Sequence, residues 1–109
     1  MKATELMIGD WVKSRTGMNV KIVGINHDYP SVYEPIPLTA EILEKNGWKE
    51  AQFWHEYQDG ENTIQSCLPD MRGIINGVEI QHFKCEYVHQ YQHLLRLCGL
   101  DELADNFKV

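Results

Sequence analysis

Cys85, His89 and His93 are the residues of this 109-residue chain whose types and spacing come closest to a reactive centre. They lie four residues apart, so a helix that began by Cys85 would place all three on one side. A thiolate and two imidazoles are good ligands for Zn²⁺, but a structural site takes a fourth ligand, which His55 or His82 would have to supply. The H-E-x-x-H arrangement of metalloproteases is absent. The three residues are therefore weak metal candidates, and we expect no cofactor.

The same group contains the best candidate for a nucleophile. Cys85 precedes a predicted helix, whose N-terminus would lower the thiol pKa, and His89 lies one turn further on. Cys67 and Cys98 fall among apolar residues and are expected in the core. Spacing alone indicates neither an oriented base nor an oxyanion hole. We therefore assign no catalytic residue and expect the protein not to be an enzyme.

A predicted C-terminal helix must position these side chains. Its apolar residues fall within about 100° of arc at 3.6 residues per turn. They are Tyr87, Val88, Tyr91, Leu94, Leu95 and Cys98. The polar residues His89, Gln92, His93 and Arg96 gather on the other side, which we expect to be solvated or partly buried. Gly99 suits the end of this helix, and Leu100–Asp105 predicts a short final turn.

Strands are predicted in the middle of the chain. Asn76–Gly77 is a strong two-residue hairpin signal, and Asp59–Gly60 indicates another turn. The predicted strands are Phe53–Tyr57, Thr63–Leu68, Met71–Ile75 and Val78–Phe83. Most of the Trp and Tyr side chains fall at apolar positions and are expected in the core.

The first half of the chain combines a hairpin, a proline-rich segment and a short helix. The hairpin, within residues 6–25, resembles the start of small SH3-like barrels. Pro30, Pro35 and Pro37 exclude a regular central strand from residues 26–37, where Tyr29 and Tyr33 could be exposed for protein binding. Thr39 is a good N-cap for a helix over residues 40–46. We expect a single α+β domain, residues 1–109, with an antiparallel sheet, a short central helix and a C-terminal helix; barrel closure stays open.

Charge is unevenly distributed along the chain, which has 10 basic and 16 acidic residues. Residues 1–26 hold four basic and two acidic side chains, and the rest is strongly acidic. Nucleic-acid binding through Lys13, Arg15 and Lys21 is therefore possible but disfavoured. Three cysteines, no signal peptide and no membrane-length apolar run predict a cytoplasmic protein without a membrane partner.

Several segments resemble a family of small uncharacterised Bacteroidetes proteins. These are EPIPLTAEILEKNGW at 34–48, INGVEI at 75–80, CEYVHQYQHLLRLCG at 85–99 and the opening LMIGDWV at 6–12. The resemblance implies a phage or mobile-element setting and carries no assigned activity. We therefore expect a non-enzymatic protein-interaction module with a protein partner or self-association. The alternatives are a nucleic-acid-binding module using the hairpin and a metal-dependent enzyme at Cys85, His89 and His93.

Overall fold

Two antiparallel sheets and three helices form the described part of the structure, a computed structural model that describes residues 6–22 and 33–109. In chain order, the elements are β1 (Trp11–Lys13), β2 (Asn19–Lys21), β3 (Glu34–Pro35), α1 (Ala40–Lys45), β4 (Lys49–Glu50), β5 (His55–Asp59), β6 (Asn62–Cys67), β7 (Asp70–Ile75), β8 (Val78–Lys84), α2 (Val88–Leu97) and α3 (Asp101–Asp105). The predicted α+β fold class is confirmed. Over the described ranges, no helix has the length and apolar character needed to cross a membrane.

Strands β4 to β8 form a five-stranded meander in the order β4-β5-β6-β7-β8. The predicted hairpin between β7 and β8 is confirmed: Ile75 lies opposite Val78, and the turn residues Asn76 and Gly77 have φ of 50° and 79°. Positive φ at both positions matches the twist of the two strands. β5 begins at His55 rather than Phe53, because Ala51 and Trp54 close a backbone turn just before it (N to O, 2.7 Å).

The two predicted helices are confirmed to within a residue at their ends. Thr39 caps α1, and its hydroxyl accepts a hydrogen bond from the Ile42 backbone N–H at 3.3 Å. α2 begins at Val88, and the side chain of Gln90 accepts from the Tyr87 backbone N–H at 3.1 Å. α3 supplies the predicted final turn.

The main core lies between the inner face of the five-stranded sheet and helix α2. Its buried side chains include Leu43, Ile64, Met71, Ile75, Tyr91 and Leu95. A second, smaller cluster of Leu6, Val12 and Ile22 lies within the N-terminal sheet, with Val20 and Tyr33 partly buried against it. Trp11 of β1 packs against the main core, and polar contacts described below also join the N-terminal sheet to the rest of the protein.

Of the two alternatives that the sequence left open, an SH3-like barrel and an open sheet, the N-terminal strands form the open sheet. They form an open sheet in the order β2-β1-β3, and among residues 6–22 and 33–109 there is no closed barrel. β3 has only two residues and contains Pro35, whose missing N–H suits the edge of a sheet. The end of the predicted second strand (residues 23–25) and Tyr29 lie outside the described residues.

A β-bulge interrupts the pairing of β7 with β8. Met71 lies opposite Phe83 and Gly73 opposite Ile80, so β8 has two residues, Gln81 and His82, where β7 has only Arg72. His82 has a φ of 54°, a left-handed conformation that is uncommon outside glycine. The bulge keeps Ile80 and Phe83 on the inner face although they are three residues apart.

Candidate functional site

Cys85 lies in the main core and not at a reactive helix end. Its side chain is fully buried, and its backbone N–H donates to the Pro69 carbonyl at 2.8 Å in an extended segment. Burial raises the pKa of the Cys85 thiol to about 12, which is the opposite of the predicted lowering by a helix N-terminus. The neutral thiol therefore behaves as a small apolar group, and the predicted lowering of its pKa is wrong.

The predicted alignment of Cys85, His89 and His93 on one side of a helix also fails. Helix α2 begins at Val88, three residues after Cys85, so only the two histidines share the helix. Their rings meet edge to face with centroids 5.5 Å apart. His93 directs its Nε2 atom to Asp10, at 2.6 Å from the carboxylate. In the described ranges, no three His, Cys, Asp or Glu side chains are grouped to hold a metal ion.

Instead, the polar face of α2 and the side chain of Asp10 form a buried network, which we call the polar clasp. The clasp consists of Asp10, Gln92, His93 and Arg96. Asp10 is fully buried; its Oδ1 atom accepts from Arg96 Nη1 at 2.6 Å, and its Oδ2 atom contacts His93 Nε2 and accepts from the Met7 backbone N–H at 2.8 Å. Every oxygen of this carboxylate therefore has a partner, as a buried charge requires.

Gln92 completes the polar clasp through backbone contacts. Its side-chain oxygen accepts from the Trp11 N–H at 2.9 Å, and its side-chain nitrogen donates to the carbonyls of Gly9 at 2.8 Å and Ala104 at 3.0 Å. One buried amide thus ties the start of β1 to α2 and α3. The indole N–H of Trp11 adds a further contact by donating to the Phe107 carbonyl at 2.6 Å.

The clasp holds the charge on Asp10. Burial disfavours the ionised carboxylate, but the hydrogen bonds from His93, Arg96 and the Met7 backbone outweigh it and lower the pKa of Asp10 below its usual value. Gln92 and His89 are both buried, although the helical pattern predicts a solvated or partly buried face for them. The pairing of Asp10 with this face depends on residues more than 80 positions apart, so helical periodicity gave no signal for it.

The basic hairpin residues give little support to a nucleic-acid interface. Lys21 donates its ammonium group to the Asp105 carbonyl, at the end of α3. Lys13 lies opposite Glu34 in the N-terminal sheet, and Arg15 is exposed in the turn. Tyr33, expected to be available for protein binding, is partly buried against the smaller core cluster.

A groove lies on the outer face of the five-stranded sheet, away from the main core. We call it the outer groove; it has a volume of about 270 Å³ and is lined by Phe53, Trp54, Cys67, Asp70, Arg72 and His82, among others. A second depression of about 500 Å³ continues from it across the same face, past Ile74 and Glu79. The β-bulge places His82 where the two depressions meet.

The outer groove combines exposed aromatic surface with one cation. Phe53 is 75% exposed, and the neighbouring Trp54 has a buried indole N–H with no acceptor among the residues described. Arg72 donates from Nε to Gln65 at 3.3 Å and, within the described ranges, makes no ion pair with a carboxylate. Cys67 is exposed at this groove, so its predicted place in the core is wrong. It lies at the end of β6, where alternation along the strand turns its side chain outward.

Comparisons with protein families, with curated proteins and with solved structures find no significant match.

Proposed function

We propose that this chain is a cytoplasmic, non-enzymatic protein-interaction module in a phage or mobile-element setting, and that it binds its partner at the outer groove. The exposure of Phe53 beside that groove is the observation that carries the proposal. Large aromatic side chains and arginine supply much of the binding energy in protein interfaces. A sheet face that presents Phe53, Trp54 and Arg72 together therefore suits a protein ligand.

The partner that fits this groove is an extended segment with an aromatic side chain next to a carboxylate. A volume of about 270 Å³ suits one aromatic side chain, which would pack against Phe53 and Trp54. The guanidinium of Arg72, which has no carboxylate partner in the described part of the chain, would take the acidic group. The Asp70 carboxylate at the same groove would repel that acidic group, so the partner's carboxylate must lie on the Arg72 side.

Two capped dipeptides test this proposal. N-acetyl-Asp-Phe-amide is titrated into ¹⁵N-labelled protein, and N-acetyl-Asn-Phe-amide serves as the uncharged comparison. We expect saturable shifts at the backbone N–H of Phe53 and Arg72 and at the Trp54 indole N–H, with a dissociation constant of about 1–10 mM, because one buried aromatic ring and one exposed ion pair contribute a few kcal/mol. The Asn dipeptide should bind several-fold more weakly.

Leu97→Ala is the matched control for Phe53→Ala, because Leu97 is an apolar side chain of similar exposure (77% against 75%) on α2. Phe53→Ala should abolish saturable binding, and Arg72→Gln should remove the preference for the Asp dipeptide. Shifts outside the groove, no saturation up to about 10 mM, or equal loss in Leu97→Ala would contradict the proposal.

A further inference from the structure

Strand β8 is an edge of the five-stranded sheet. In the strand order of the described residues it has β7 on one side and no strand on the other. It is seven residues long, and five of its side chains are exposed. An edge strand presents unpaired backbone N–H and C=O groups that can pair with another strand.

Within residues 79–84 of β8, the bulge leaves two inner residues and two outer charges in a symmetric order. Ile80 and Phe83 lie on the inner face, opposite Gly73 and Met71. Glu79 and Lys84 flank them on the outer face and are both exposed. From residue 79 to residue 84 the strand therefore has an acidic residue, an apolar residue, the two bulge residues, a second apolar residue and a basic residue.

This order is complementary to itself when a second copy runs antiparallel. With the two-fold axis between Gln81 and His82, Glu79 of each copy lies opposite Lys84 of the other, and Ile80 lies opposite Phe83. The Ile80–Phe83 pair then lies on the inner face of the joined sheet, and the Glu79–Lys84 pair lies on its outer face. Opposite charges and apolar pairs at directly opposed positions stabilise antiparallel strands.

The bulge selects this register. In a regular strand, residues three apart point to opposite faces, so opposing positions 80 and 83 would set an inner side chain against an outer one. The extra residue at the bulge removes that conflict. A shift of one residue in either direction opposes Glu79 to Phe83 or Ile80 to Lys84, and each of these pairs joins an outer side chain to an inner one.

We propose that two copies of this chain associate along β8 in an antiparallel pair, joining their five-stranded sheets into one continuous sheet. Neither Glu79 nor Lys84 forms an ion pair within the described ranges. Glu79 Oε1 accepts from the Gln81 side chain at 2.8 Å, which leaves its Oε2 atom for Lys84 of the partner copy. The contact is isologous, with the same strand contributed by each copy, and it closes at two chains. Its charge pairs are separate from the outer groove proposed above, since neither Glu79 nor Lys84 lines that groove; His82, beside the two-fold axis, lines it.

A charge-swap experiment tests the register. In Glu79→Lys homodimers, Lys faces Lys84 twice, and in Lys84→Glu homodimers, Glu faces Glu79 twice. Sedimentation equilibrium should show each single variant with a dimer dissociation constant raised about tenfold, because two attractive cross-strand pairs become repulsive. A one-to-one mixture of the two variants pairs opposite charges at both positions, so it should recover wild-type affinity, as should the double variant in one chain.

Net charge provides an internal control. Glu79→Lys reduces the magnitude of the net charge of −6. If general repulsion between copies governed association, this variant would therefore dimerise more tightly. The proposed register predicts the opposite, a weaker dimer. Glu61→Lys makes the same change in the exposed turn between β5 and β6 and should leave the dimer intact. A wild-type protein that stays monomeric up to about 1 mM would overturn the proposal. So would single variants that dimerise normally, or a mixture that fails to recover.

Discussion

Gln92 illustrates how one neutral side chain can join distant parts of a backbone. It is fully buried, and its amide accepts from Trp11 and donates to Gly9 and Ala104. A glutamine offers an acceptor and two donors in one planar group, which no apolar residue of the same size provides. Its removal would therefore leave the Trp11 N–H and the Gly9 carbonyl without this partner in the protein interior, while the Ala104 carbonyl would keep the Phe107 N–H at 3.4 Å.

We predict that Gln92→Leu lowers the free energy of unfolding by about 3–5 kcal/mol, since each unpaired buried group costs about 1–3 kcal/mol. Gln92→Glu should be at least as damaging, because a carboxylate cannot donate to the carbonyls of Gly9 and Ala104. Urea unfolding followed by circular dichroism measures both variants. Gln58→Leu, at an exposed position of β5, is the control and should change stability by less than about 0.5 kcal/mol. Similar values for Gln92→Leu and the control would refute the role of Gln92.

The sequence predicted single-residue environments well only where one element decides them. Thr39 was recognised as a cap because its partner is three residues away. The burial of Gln92 was missed because amphipathic periodicity assigns polar residues to solvent, and that of Asp10 because it falls in a predicted turn; only the docking of β1 onto α2 buries them. Cys67 was misplaced for a related reason: its apolar neighbours share its strand but not its face.

At the scale of elements, the pairing of β6, β7 and β8 depends on Gly73. The backbone of β6 lies so close that a Cβ atom at Gly73 would be 2.0 Å from the Thr63 carbonyl oxygen. Gly73 is also the residue that follows Arg72 at the bulge, where the register between β7 and β8 shifts. Both the approach of β6 and the offset of β8 therefore require a residue without a side chain.

We predict that Gly73→Ala destabilises the protein by about 3 kcal/mol or more, because the clash is with backbone and cannot be relieved by a rotamer change. Gly60→Ala is the matched control: Gly60 also has a positive φ, but a Cβ atom there meets nothing within 4 Å. Its cost should be only the conformational strain of about 1–2 kcal/mol. Thermal unfolding of both variants provides the comparison, and equal losses would argue against the close approach at Gly73.

Local sequence signals predicted the helices and hairpins correctly, but they did not predict the irregular segments that shorten or interrupt the strands. The helix expected over residues 40–46 and the Asn76–Gly77 hairpin are both confirmed, since caps and turns act within a few residues. Phe53 and Trp54 have strand-like composition but precede β5 in a turn, which makes Phe53 available at the outer groove. The alternation of apolar and polar residues in Val78–Phe83 gives no indication of the bulge at His82.

At the scale of the whole molecule, buried polar contacts join the N-terminal sheet to the helices. The smaller core cluster is separate from the main core, and the polar clasp lies where β1 meets α2. Losing one partner of a buried ion pair is costly because the other charge stays behind. The attachment of this sheet should therefore respond to the protonation of Asp10.

We predict that acid weakens this attachment. The pKa of Asp10 is lower in the folded protein than in the unfolded chain, so its charged form contributes stability above about pH 4, and that contribution is lost as the pH falls through the folded value. Asp10→Asn should cost about 3 kcal/mol at pH 7, because His93 loses its carboxylate partner and Arg96 keeps only the Asp105 carboxylate at 3.4 Å; the cost should be smaller at pH 3. Urea unfolding at both pH values tests this. Asp101→Asn, at an exposed position, is the control and should change the free energy of unfolding only slightly at either pH. If Asp10→Asn cost the same at pH 7 and pH 3, the proposed dependence on the protonation of Asp10 would be refuted.

The long sequence distance across the polar clasp has a consequence for synthesis on the ribosome. Asp10 and His93 are 83 residues apart, and Trp11 and Phe107 are 96 apart. At about 5–20 residues per second, the first strand waits roughly 4–17 s for the helix that will bury its carboxylate. The N-terminal sheet is thus synthesised well before α2, and until α2 emerges Asp10 lacks the two side chains that pair with its carboxylate.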